Sequence, residues 1–239
     1  MTPKRLRPIE KAWIKRREIT HQIRQGVTIL DCTVKSSENC SEGQFLYEYI
    51  KILNRQREVA WKMEPVDNYL HHIKSATNGV RSLDIYLKYA LTQTIHISAH
   101  GNTYLDTNKT FLEAGKNAFD QELLRNIWSE WPENERPRLI VLSACKAGHK
   151  DLIEAFADGG KGCRYVIAPI LPADWERAAM FSALFYTFLF YGEPHFPKPG
   201  KPLPPLKPFE PVAAFKKAKK RSPRLTGWWK MFDYGAEIP

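Results

Sequence analysis

Apolar residues gather in short β-branched runs, and between the runs they recur at helical spacing. The runs at 27–31 (Val-Thr-Ile-Leu-Asp), 58–62, 93–98 (Gln-Thr-Ile-His-Ile-Ser), 138–143 (Arg-Leu-Ile-Val-Leu-Ser) and 165–168 predict strands. Amphipathic spacing predicts helices over 8–25, 44–53, 66–75, 83–90, 117–128, 151–157 and 174–190. In the first of these Ile9, Ala12, Trp13, Ile19 and Ile23 share one face, interrupted by Arg16. Strands that read as apolar runs and alternate with helices predict an α/β fold. They imply a mostly parallel sheet of about six strands with helices on both faces, a three-layer sandwich.

The pattern breaks at Gly192. Residues 194–211 contain eight prolines, which exclude helix and central strand and favour extended polyproline II. A short basic helix is expected over 212–220, and the aromatic stretch 227–235 is expected to return as a closing edge strand. The chain thus divides into a basic N-terminal extension (1–25), expected to be helical, and one domain (26–239). The domain carries a Pro-rich, basic insertion (194–224) before its last strand. No internal repeat is visible.

Composition narrows the class. With 239 residues, 43% of them hydrophobic, there is ample chain for a packed core. The net charge of +10 is concentrated at the flanks. Residues 1–25 hold eight basic and two acidic side chains, and 196–224 hold nine basic and one acidic, which leaves the body mildly acidic. The longest apolar run, 178–191, is interrupted by Ser182 and Thr187 and is too short to span a bilayer. No secretory pattern is seen, and four cysteines (Cys32, Cys40, Cys145, Cys163) do not form a disulfide framework, so a cytoplasmic protein with reduced thiols is expected. Phosphate-binding glycine motifs are absent, and 159–162 reads as a helix-ending turn, so no cofactor is expected.

Candidate chemistry sits where a reactive side chain directly follows a buried strand. His100-Gly101 follows Ile95-His-Ile-Ser-Ala, and Cys145 follows Ile140-Val-Leu-Ser-Ala. Ligands of open α/β sheets bind beyond the carboxyl ends of strands. A cysteine and a histidine there, on neighbouring strands, would face one crevice: a thiolate to attack and an imidazole to carry the proton. Gly101 lacks a Cβ, so its N–H can closely approach a developing oxyanion. A lone cysteine or histidine at such a position is more often a core group; the two together favour function.

These two segments carry a resemblance. Residues 95–101 resemble the His-Gly block of caspase-like (clan CD) cysteine peptidases, and Leu142-Ser-Ala-Cys-Lys-Ala-Gly148 resembles their nucleophile block, most closely in the CHAT branch. Ala168-Pro-Ile-Leu-Pro-Ala-Asp174 and the apolar helix after it resemble the family's fifth strand and helix, and Trp228–Gly235 resembles its closing strand. The match covers roughly 27–235. Lys146, where the family often has an acid, and the Pro-rich insertion depart from the pattern. The resemblance implies a caspase-like sandwich and a cysteine endopeptidase, with Cys145 as nucleophile, His100 as its partner, and Gly101 and Cys145 N–H groups as the oxyanion hole. By analogy it implies a prokaryotic defence or programmed-death effector that cuts one protein partner, such as a gasdermin-like pore former, under a regulatory partner. A catalytically silent module that binds nucleic acid or a protein through its basic flanks is the alternative.

Other candidates keep two readings each. Asp31, ending the first strand, and Asp174, following the fifth, stand where the family builds its primary substrate pocket, and acids there would favour a basic residue before the cut; either could instead cap a helix. His96 shares the parity of Ser98 and is expected to support the His100 loop, since a metal pair at this spacing needs a helix and a third ligand, so no metal is expected. Cys32, Cys40 and Cys163 are expected to be inert, and His71-His72 to be surface positions. Pro202-Leu-Pro-Pro-Leu-Lys207 fits a proline-motif ligand or a stiff spacer. Lys216, Lys217, Lys219, Lys220 and Arg221 could meet nucleic acid or an acidic partner, or form a solvated helix face held off the core by the prolines.

Overall fold

In a computed structural model the chain is described over residues 24–32, 41–61, 70–74, 92–114, 117–131, 136–191 and 209–239. A central sheet of seven strands has the order β10-β9-β8-β7-β3-β1-β2. Its strands are β1 (Arg24–Asp31), β2 (Leu70–Lys74), β3 (Thr92–Ser98), β7 (Leu139–Ser143), β8 (Tyr165–Pro169), β9 (Trp229–Asp233) and β10 (Ala236–Ile238). The first five are mutually parallel; β9 runs antiparallel to β8 and turns back into β10. The seventh strand, beyond the six expected, is the short hairpin partner β10.

Side-chain alternation along these strands builds two apolar layers. Leu30, Ile95, Ile97, Ile140, Leu142 and Val166 pack on one face against α2 (Gln121–Glu130) and α3 (Lys150–Ala157). Val27, Ile29, Leu139, Val141 and Ile167 pack on the other against α1 (Glu42–Trp61), α4 (Trp175–Tyr186) and α5 (Pro211–Arg221). A sheet covered by helices on both faces explains why β7 is buried at every position. A short helix, α6 (Pro223–Thr226), links α5 to β9.

Several expected elements differ. Residues 58–61, read as strand, continue α1, because extending a nucleated helix adds one hydrogen bond per residue fixed and overrides weak β propensity. Residues 70–74, read as helix, form β2, which pairs with the otherwise open edge of β1. Residues 117–119, read as the start of α2, instead form β6, and the helix begins after Asp120, whose carboxylate accepts the Leu123 N–H at 3.1 Å. Together with β4 (His100–Thr103) and β5 (Thr110–Ala114), β6 makes a small antiparallel sheet with no counterpart in the sequence reading. Of the helix expected over 8–25, Arg24 and Gln25 belong to β1 and the rest lies outside the described residues, as do the helix expected over 83–90 and the proline segment 194–208. The basic helix is not held off the core: Pro211, Ala214, Phe215 and Ala218 are buried, and the Phe215 ring meets Phe181 edge-on at 6.2 Å.

Candidate active site

The sheet's register assembles the site. Asp31, Ser98 and Ser143 are aligned partners at the carboxyl ends of β1, β3 and β7. One residue further, the Ala99 N–H donates to the Ser143 carbonyl at 3.1 Å and the Cys32 N–H to the Ser98 carbonyl at 2.7 Å. Ala99 and Ala144 are still buried; the next residues are His100, exposed, and Cys145, half-buried. Both line one pocket of about 430 Å³, whose other walls include Ser41, Glu42, Ser98, Ser143, Asp174 and Trp175.

Cys145 sits in a tight turn closed by the Ala147 N–H on the Ala144 carbonyl at 3.2 Å. Lys146, the third residue of that turn, has φ 55°, a left-handed conformation uncommon for a residue with a Cβ. The Lys146 side chain is exposed. The Cys145 thiol donates to the Ala173 carbonyl at 3.6 Å. A Cβ on Gly101 would stand 1.9 Å from the Cys145 carbonyl oxygen, so only glycine lets the strand carrying His100 lie against the Cys145 turn.

The pocket floor holds a carboxylate that the sequence reading did not single out. Glu42, in the first turn of α1, is 4% exposed and accepts the Ser98 hydroxyl at 2.9 Å and the Ser182 hydroxyl at 3.2 Å. His96 Nε2 lies 3.2 Å from Glu42 Oε1 but is not aligned for a hydrogen bond, while His96 Nδ1 pairs with the Tyr186 hydroxyl at 3.2 Å. Burial first and the Glu42 charge second hold the Tyr186 phenol well above its usual range. His96 thus braces the floor against α4 rather than the His100 loop. The signal for Glu42 was present in Ser41-Glu-Gly-Gln44, a capping pattern that starts a helix at 42; the Gln44 N–H does bond the Ser41 hydroxyl at 3.1 Å.

The two aspartates part company. Asp174 lines the pocket and also performs the capping role, accepting the Arg177 N–H at 2.8 Å and pairing with the Arg177 guanidinium at 3.3 Å. Asp31 is fully buried behind the pocket, where it accepts the Ser41 hydroxyl. It fits there because Gly43 has no side chain; a Cβ would come within 2.5 Å of its carboxylate. The remaining described thiols are buried. Burial and the neighbouring Asp31 push Cys32 up to about 12, and burial drives Cys163 higher still. Among the described residues no group of three or more His, Cys, Asp or Glu could hold a metal ion, and no helix is long and apolar enough to cross a membrane. No protein-family model and no curated protein matches the chain.

Proposed function

We propose that the chain is a cysteine endopeptidase of the caspase-like, CHAT-type kind, with Cys145 as nucleophile and His100 as proton carrier. The observation that supports it best is the in-register ending of β3 and β7, which delivers one histidine and one accessible cysteine to the same pocket with Gly101 against the Cys145 backbone. In this reading the Cys145 thiolate attacks the scissile carbonyl, and backbone N–H groups of Gly101 and Cys145 stabilise the oxyanion. His100 protonates the departing amine, then takes a proton from the water that hydrolyses the thioester. Carboxylates of Glu42 and Asp174 on the pocket wall, with Asp31 behind them, suit a Lys or Arg side chain before the cut.

A peptidyl acyloxymethyl ketone ending in Arg tests this directly. Intact mass should show one adduct, lost in Cys145→Ala and strongly slowed in His100→Ala, while Cys32→Ser and Cys163→Ser label normally. An adduct that persists in Cys145→Ala overturns the assignment. Equal labelling by a Leu-ended analogue removes the acidic-pocket part. Absence of any adduct favours the catalytically silent module.

A further inference from the structure

The outer face of α5 and α6 carries cations that nothing in the described structure neutralises. Lys216, Lys220, Arg221 and Arg224 are exposed, and none of the four makes an ion pair with a described carboxylate. The helix dipole accounts for part of the row, since cations in a last turn are favourable. It accounts neither for Lys216 in the middle of α5 nor for Arg224 beyond its end.

Position adds the second observation. β9 runs antiparallel to β8 with Trp229 opposite Pro169, so the chain from α6 enters the sheet at the carboxyl end of the parallel strands, the end that holds Cys145 and His100. The Ile170 N–H bonds the Trp228 carbonyl at 2.9 Å, and the Arg177 guanidinium lies 4.7 Å over the Trp228 ring. Arg177 follows Trp175 on the pocket rim, so the basic face and the pocket share one end of the molecule.

We propose that this face docks an acidic segment of the protein that the site cuts, an inference that rests on the endopeptidase reading. A substrate with a basic residue at the cut and acidic residues some distance along would meet opposite charge in both places: carboxylates in the pocket, cations on α5 and α6. A nucleic acid laid across the same end would bring phosphates onto Glu42 and Asp174. The eleven residues of α5 span roughly 16 Å at about 1.5 Å per residue, the length of about five residues of extended peptide.

A fluorescein-labelled peptide of twelve glutamates, read by anisotropy on the full chain, tests the surface. Binding at low salt should weaken as salt rises toward about 150 mM, where charges more than about 8 Å apart are screened. Replacing the four cations (Lys216→Gln, Lys220→Gln, Arg221→Gln, Arg224→Gln) should weaken it by roughly tenfold or more and leave the warhead labelling rate of Cys145 unchanged. Three results overturn the proposal: no peptide binding at low salt, equal binding by the four-fold variant, or a single-stranded twelve-nucleotide DNA that binds more tightly than the peptide. Loss of binding only when the Lys and Arg of residues 4–24 are changed overturns it too, by moving the site to the N-terminal segment. Failure of Cys145 labelling with peptide binding intact overturns the peptidase reading instead, so the two failures are separable.

Discussion

At the residue scale the site is assembled through close backbone approaches that leave no room for a Cβ. Gly101 shows this best, because any side chain there would overlap the Cys145 carbonyl. Gly101→Ala must push the His100 strand and the Cys145 turn apart, and on the proposed peptidase reading a displacement near 1 Å at a reacting group costs on the order of 100-fold in rate. The expected outcome is a Cys145 labelling rate down about that much with little change in melting temperature, since β4 lies at the surface. A normal labelling rate would mean that the turn relaxes without moving the thiol. His100, Gly101 and Cys145 were legible in the sequence because each follows an unmistakable apolar run. Glu42 was legible only as the start of α1, in the capping pattern Ser41–Gln44; its place in the pocket comes from burial beneath Ser98 and Ser182, residues 56 and 140 positions away.

At the scale of elements, α5 changes most between sequence and structure. Its five clustered cations and the prolines before it suggested a segment outside the core. Yet Ala214, Phe215 and Ala218 form a stripe one turn apart that packs on α4, and Phe181 in turn stacks on Trp229 of β9 at 3.9 Å. Truncating a buried phenylalanine removes apolar burial and leaves a cavity, so Phe215→Ala should lower unfolding stability by about 3–5 kcal/mol. Chemical denaturation reads this, and a loss below 1 kcal/mol would detach α5 from the core. The strand 70–74 teaches the converse lesson: its local pattern fits a helix, and only the open edge of β1 supplies the backbone partners that make it a strand.

At the scale of the whole molecule, buried thiols tie stability to alkaline pH. Cys32 titrates near 9.0 when exposed and near 12 in the fold, and Cys163 is also raised by burial. A group whose pKa is raised on folding stabilises the native state below its unfolded pKa. That contribution drains away as pH climbs toward the folded value, because the unfolded chain ionises first. For Cys32 the loss should run between about pH 9 and 12 and reach on the order of 2–3 kcal/mol by about pH 11. Under reducing conditions, the urea midpoint of the wild type should therefore fall more steeply from about pH 9 to 11 than that of Cys32→Ser. Parallel curves would place the Cys32 thiol in contact with water.

The sequence by itself determined the α/β class, the parallel strands β1, β3, β7 and β8, and the placement of His100 and Cys145 just past two of them. Burial on both sheet faces writes an apolar run into the local sequence, and a reactive residue just past that run is visible without any fold. Only the tertiary structure decided the small β4-β5-β6 sheet, the edge strand β2, the packing of α5, the separate fates of Asp31 and Asp174, and the place of Glu42 in the pocket floor. Each of these depends on a partner distant in the chain — an open strand edge, a facing helix, a missing Cβ — and no local pattern of residues records which distant surface it will meet.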